Sequence, residues 1–213
     1  MNDDQLGGIA LIAGAVAGLV TMSLHPTGHD LAAPGQFAPA ALRAAAVHAL
    51  AIAGMPLSFL GALALARRLD APPRLGTAGL VTFGFALLAS MVAAAVSGFV
   101  GPRVMREILD AAEPARQGGH MLLDYNYRLN QAFARMYVVA SSAAIILWSA
   151  AIVRTRALPT GLGVYGLVMA PLVMLAVLSG HARLDVHGFG LIVLAQSLWL
   201  IVAGARLLRF RAP

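Results

Sequence analysis

The chain has 213 residues, of which 60% are hydrophobic and 11% charged, and its mean hydropathy is +0.80. Soluble globular domains carry about 25% charged residues, so this composition excludes a soluble domain and indicates a chain surrounded by lipid. The net charge of +6 and the pI near 11.0 would suit a nucleic-acid-binding protein, but the arginines are scattered at the ends of apolar runs, so we expect no nucleic-acid partner.

Two residue types are missing, and each absence excludes a kind of chemistry. Without cysteine there are no disulfides, no thiolate metal sites and no haem attached through thioethers. All fifteen basic residues are arginine, so a lysine Schiff base is excluded too. The acidic start, Met1–Gln5, lacks the basic region of a cleaved signal peptide, and the first apolar run is therefore predicted to be a retained span.

Six apolar segments follow one another, each long enough or nearly so to cross a hydrocarbon core that needs roughly 20 helical residues. Because lipid offers no hydrogen bonds to the backbone, we predict α-helices. The fold class is an all-α integral membrane protein: a six-transmembrane-helix bundle forming one polytopic domain over residues 1–213. A surface helix or ordered loop is expected over Gly101–Asn130. The predicted spans are Gly7–Leu24, Ala40–Ala66, Gly76–Val100, Gln131–Val153, Gly161–Gly180 and Gly188–Leu208.

An even number of spans brings both termini to one side, and the arginines predict which side that is. The side with the termini has eight arginines and three aspartates, a net charge of +5, whereas the other has seven arginines and six acids, a net charge of +1. Arginine-rich short loops stay in the cytoplasm, so both termini are predicted to be cytoplasmic. Arginine without lysine, with abundant alanine and glycine, suggests a GC-rich bacterial genome and hence the bacterial inner (plasma) membrane.

All six histidines fall at or near the other, periplasmic face. His25 and His29 lie in the first outer turn, His120 in the second, and His181 and His187 in the third, while His48 lies about two turns inside the second span. Polar residues gather at the wet ends of membrane helices in any case, so the alternative to a site is a set of ordinary helix ends.

The spacing of these residues favours a metal site. Each outer turn holds a histidine and, four residues later, a second possible metal ligand. Helical positions i and i+4 share a face. Imidazole and carboxylate groups bind Zn, Fe, Mn or Cu(II), and two of the histidines could instead ligate a haem. The predicted metal ligands are His25, His29, His48, His120, Asp124, His181, Asp185 and His187.

A polar stripe runs along the start of the fourth predicted span and ends at Arg135. This arginine is predicted to orient an anionic or carboxylate group of a substrate at the lip of the membrane. Alternatively it pairs with Asp124 or Asp185, or extends its guanidinium to the interface.

The first and third hairpins, residues 7–69 and 161–208, are similar enough to suggest an internal duplication. Aligned without gaps, the segment from His48 and the segment from His187 share 6 of 22 residues. Repeats of this kind commonly place a site at their interface.

Three functions are compatible with the sequence. The first is a membrane-embedded metalloenzyme in which the metal activates water or polarises a lipid or small molecule. The second is a transporter or metal-delivery protein, and the third is a structural or accessory subunit that binds no metal. Six or seven helices with a His/Asp metal site at one end resemble the alkaline ceramidase and progestin-receptor group in general plan. The order of motifs differs from that group, so the resemblance implies no residue roles. The oligomeric state is left open.

Overall fold

Among the residues that the structure describes, six helices are long and apolar enough to cross a membrane, which confirms the predicted number of spans and a multi-pass membrane protein. The computed structural model describes residues 1–27, 35–71 and 73–209, and the described residues contain no β-strand. The elements are α1 Asp3–Leu24, α2 Phe37–Leu69, α3 Leu75–Ala95, a π-helical turn Val96–Val100, α4 Gly101–Asp110, α5 Ala115–Thr155, α6 Thr160–Leu178 and α7 Val186–Leu207.

The helix that forms the fourth span, α5, extends well beyond the predicted span. With 41 residues, α5 is roughly 60 Å long, whereas a hydrocarbon core is about 30 Å thick. Its first half therefore protrudes from the membrane, where it packs against α4 through the contact between Ile108 and Gly119. The segment Gly101–Asn130, which was expected to be a surface helix or ordered loop, is thus a helical hairpin formed by α4 and the first part of α5, and it continues two spans. The predicted span began late because polar side chains lower hydropathy without breaking a helix.

Contacts near the chain termini show which helix ends lie together. Gly8 in α1 approaches Gly204 in α7 so closely that a Cβ atom on Gly8 would lie 2.6 Å from the Gly204 carbonyl oxygen. Arg67 at the end of α2 lies 3.9 Å from the Asp3 carboxylate. The start of α1 and the ends of α2 and α7 therefore share one end of the bundle, which we call the termini end. The opposite end, formed by the end of α1, the start of α2 and the α4–α5 hairpin, is called the histidine end.

The interior holds a few polar side chains that are bonded between helices. Gln196 in α7 accepts a hydrogen bond from Ser141 and donates one to Ser142, both in α5, at 3.0 Å each. The indoles of Trp148 and Trp199 stack with ring centroids 5.9 Å apart. The hydrogen bonds of Gln196 hold helices together where lipid supplies no hydrophobic drive.

Candidate histidine site

Two of the predicted ligands are in direct contact at the histidine end. The Nε2 atoms of His25 and His48 lie 3.2 Å apart, and their rings meet edge to face with centroids 4.8 Å apart. We call these two residues the histidine pair. The neighbouring residues Gly28, His29 and Asp30 lie outside the described residues.

His25 reaches the pair because α1 stops there. It follows the last residue of the helix and has extended backbone angles, φ −64° and ψ 123°. The next residue is Pro26, which disfavours helical angles at the preceding position, so the sequence sets this helix end as predicted. The His25 Nδ1–H donates a hydrogen bond to the Pro26 carbonyl at 2.8 Å. The ring is therefore fixed from one side while Nε2 points at α2.

His48 lies inside α2 and is only 5% exposed. Its Nδ1–H donates a hydrogen bond to the carbonyl of Ala44 one turn earlier, at 2.7 Å. Nearby, the Thr21 hydroxyl donates to the Val47 carbonyl at 3.0 Å and ties α1 to α2 one turn below His25. On its other side, His48 packs against Gly98 so closely that a Cβ atom there would overlap the imidazole.

The close approach of Gly98 depends on the π-helical turn Val96–Val100. Within this turn the Gly101 N–H bonds to the Val96 carbonyl five residues earlier. Pro102 has no N–H for the carbonyl of Gly98, which disfavours an ordinary helical turn here. Single π-helical turns inside α-helices occur frequently at functional sites. The glycines and proline of "SGFVGP" are the sequence signal that could have revealed this turn.

Two asparagines of α5 support the π-helical turn from outside. The Asn130 side-chain amide donates to the Ala93 carbonyl at 2.9 Å, and that of Asn126 donates to the Val96 carbonyl at 3.4 Å. Both asparagines lie on a different face of α5 from the polar stripe that ends at Arg135, and no role was predicted for them, because only the packed structure shows which carbonyls they meet.

The hydrogen bonds of the histidine pair decide where the protons lie. A carbonyl oxygen can only accept, so both Nδ1 atoms carry hydrogen, and in a neutral imidazole the other nitrogen then has only a lone pair. Two Nε2 lone pairs consequently face each other across 3.2 Å. That arrangement is repulsive unless a cation, either a proton or a metal ion, lies between them. Burial lowers the pKa of His25 below its ordinary value of 6.5, although its hydrogen bond to Pro26 partly opposes this, so a proton is the less favoured cation.

The other described ligand candidates lie apart from the pair and are exposed. Asp185 accepts a hydrogen bond from the Gly188 N–H at 2.8 Å and caps α7. Asp124 pairs with Arg128 at 2.8 Å, and His181 lies 2.8 Å from the Ser179 hydroxyl. His181 and Asp185 lie between helices, so the i, i+4 argument does not apply to them. The described residues contain no group of three His, Asp or Glu side chains suited to one metal ion.

His120, His187 and Arg135 complete the predicted set, and all three are exposed. His120 lies on the protruding half of α5, whereas His187 lies in the first turn of α7. Neither side chain has a hydrogen bond or ion pair within the described part of the chain, and the same holds for the side chain of Arg135. No contact in the described part of the chain therefore supports the predicted substrate-orienting role of Arg135 or its predicted pairing with Asp124 or Asp185.

A small cavity of about 90 Å³ lies below the pair, inside the bundle. Thr21 and Ala51 line it, and Ala51 lies three residues after His48 on the same side of α2. Its wall also includes the hydroxyl side chains of Ser58, Ser90 and Tyr137. These three hydroxyls have no hydrogen-bond partner among residues 1–27, 35–71 and 73–209. The cavity thus begins one helical turn from the imidazoles, at Thr21 and Ala51, and extends to hydroxyls that have no partner in the described part of the chain, of which Ser58 lies ten residues after His48.

Comparison with known proteins adds no further constraint. No known family, curated protein or solved structure matches this chain.

Proposed function

We propose that this multi-pass membrane protein binds a divalent transition-metal ion between His25 and His48 and is a metal-dependent enzyme acting on a lipid or small molecule. The observation that carries the proposal is the facing of two Nε2 lone pairs at 3.2 Å, each set by an Nδ1–H bound to a backbone carbonyl. Histidines that ligate metals almost always donate their other N–H in this way.

The distance between the two nitrogens fits a shared ion. Tetrahedral Zn with Zn–N bonds of about 2.0–2.1 Å holds two ligand nitrogens roughly 3.3–3.4 Å apart, close to the observed 3.2 Å. Imidazole ligands suit Zn, Cu and Fe. His29 stays a predicted and untested ligand, since it lies outside the described residues. A site with few protein ligands leaves positions for water or substrate, as catalytic metal sites do, and a bound metal would supply Lewis-acid chemistry there.

The buried polar side chains favour an enzyme over a transporter. Pathways through membranes usually contain ionisable groups near the middle of the bilayer. Among the described residues, those that are buried and polar are Thr21, His48, Ser58, Ser141, Ser142, Ser149, Gln196 and Ser197. Histidine occurs there once and the others are uncharged, so no ionisable relay leads from the pair towards the termini end.

The proposal is tested by the metal content of protein purified in detergent with a tag that contains no histidine. We expect elemental analysis to find one equivalent of a transition metal in the wild type and at most a small fraction in His48→Gln and His25→Gln. The matched control is His120→Gln, an exposed histidine at the same end, which should keep the full equivalent. A wild type that stays metal-free after incubation with Zn, Mn, Fe(II) and Cu(II) would overturn the proposal. Equal loss in His120→Gln would instead support the wider set of predicted ligands.

A further inference from the structure

A second concave feature lies on the outside of the bundle, between α2 and α3. It is a groove of about 520 Å³ with an almost entirely apolar wall that includes Pro56, Phe59, Gly84 and Leu88. Its volume lies within the roughly 300–1,000 Å³ typical of small-molecule sites. Leu88 is 58% exposed, so the groove opens from the side of spanning helices towards the lipid chains.

The groove adjoins the cavity below the histidine pair. Met55 and Leu87 line both spaces, so these two side chains lie at the boundary between the apolar groove and the cavity that contains the hydroxyls of Ser58, Ser90 and Tyr137. Methionine adapts its shape readily, which makes Met55 a suitable boundary. A molecule lying across this boundary would have hydrocarbon on the outer side and hydrogen-bonding groups on the inner side.

The inner chamber limits the polar end of such a molecule. Its volume is about 90 Å³, against about 520 Å³ for the groove, so it suits a polar group much smaller than the chain that the groove can hold. The described residues that line it carry no charge, and an unpaired carboxylate would be costly there. Hydroxyl side chains both donate and accept hydrogen bonds, so they suit an uncharged group.

We propose that the groove and the cavity together bind one uncharged, single-chain lipid with a compact polar end, such as a long-chain alcohol. The chain lies between α2 and α3, and its polar end lies among the hydroxyls of Ser58, Ser90 and Tyr137, in the cavity that Thr21 and Ala51 line one helical turn from the histidine pair. The proposed lipid is the ligand of the site described under the proposed function, and the inference rests on that function only for the role of the metal ion. Binding of the chain itself depends only on the groove and the cavity.

The test uses full-length protein in phosphatidylcholine vesicles and a hexadecanol probe with a diazirine near its hydroxyl. After illumination, we expect cross-links at the buried, cavity-lining Ser58 and at Tyr137, and excess unlabelled hexadecanol should abolish them. Gly84→Trp fills the middle of the groove and should lower this cross-linking several-fold. Gly161→Trp adds the same side chain at an open position of α6 and should leave it unchanged. Palmitate at pH 9 should compete poorly, because its carboxylate stays charged at that pH even though the bilayer raises its pKa.

The outcomes separate this inference from the metal site. Cross-linking that survives in His48→Gln supports the lipid site whether or not the wild type binds metal. Labels confined to exposed side chains outside the groove and the cavity, such as Leu172, with no effect of Gly84→Trp, would overturn the lipid site and leave the metal proposal standing. Equal competition by palmitate would contradict the uncharged polar end.

Discussion

A neutral histidine has one N–H to donate, and both members of the histidine pair give it to a backbone carbonyl. Pro26 supplies the acceptor for His25 and Ala44 the acceptor for His48. Neither acceptor can be removed by changing a side chain, so the orientation of both rings is set by the backbone. The pair is therefore sensitive to anything that moves the backbone or the space around the imidazoles.

Gly98 is the residue whose lack of a side chain matters most to the space around the imidazoles. A Cβ atom at this position would overlap the His48 ring, so Gly98→Ala must displace the imidazole or the π-helical turn. Disturbing groups that orient a metal ligand typically costs about 10–100-fold in affinity, and we expect a loss of this size in Zn titrations. Gly161→Ala, at an open position of α6, should match the wild type. An unchanged affinity in Gly98→Ala would show that His48 is not held in place by this contact.

The pH dependence of metal binding follows from the burial of His25. Protonated imidazole cannot coordinate a metal, and burial lowers the pKa of His25 from 6.5. The imidazole therefore stays neutral below pH 6.5, and metal should be released only as the pH falls through that lowered pKa. Metal content after dialysis at a series of pH values measures this. A metal-free protein in which the pair takes up a proton above pH 6.5 would show that a proton, not a metal, bridges the two nitrogens.

The sequence predicts part of this site for reasons that are local. Pro26 ends α1 whatever the rest of the fold does, so the position of His25 follows from neighbouring residues. The pairing of His25 with His48 and the burial of His48 by Gly98 depend on how α1, α2 and the π-helical turn pack together. Residues far apart in sequence make these contacts, and the spacing of histidines within one turn carries no information about them.

At the scale of elements, the π-helical turn links the protruding hairpin to the site. Asn130 and Asn126 reach from α5 to the carbonyls of Ala93 and Val96, just before and at the start of the π-helical turn. Because Gly98 lies within that turn, movement of α5 would reach His48 through the backbone. The turn was not predicted, since an apolar run with glycines fits an ordinary α-helix equally well.

Asn130→Ala should reveal this link. It removes the hydrogen bond to the Ala93 carbonyl, and a typical hydrogen bond contributes about 0.5–1.5 kcal/mol to stability. The Val96 N–H also bonds to that carbonyl, so the acceptor keeps a partner and the cost stays in this range. We expect a lower unfolding temperature together with weaker metal binding. Asn126→Ala, whose bond is longer at 3.4 Å, should have the smaller effect on both, and the reverse order would contradict this role of the turn.

At the scale of the whole molecule, the six spans could be predicted because each must satisfy its own backbone hydrogen bonds in lipid. The same rule says nothing about what a helix does outside the membrane, which is why the length of α5 was missed. The duplication of residues 7–69 and 161–208 stays a prediction. Its equivalent histidines lie in different surroundings, since His48 is buried whereas His187 is exposed.

Orientation in the membrane is the remaining whole-molecule property that the charges predict. The termini end has eight arginines against seven at the histidine end, and basic residues near the spans favour the cytoplasm. Reporter fusions after Arg74 and Arg156 should therefore read cytoplasmic, whereas a fusion near Gln117 in the α4–α5 hairpin should read periplasmic. Replacing Arg67, Arg68 and Arg74 by alanine leaves five arginines against seven, and we expect a mixture of orientations or a reversal. Periplasmic readings after Arg74 and Arg156 in the wild type would show that the histidine pair faces the cytoplasm. If the triple variant has the same orientation as the wild type, these three arginines do not set the orientation.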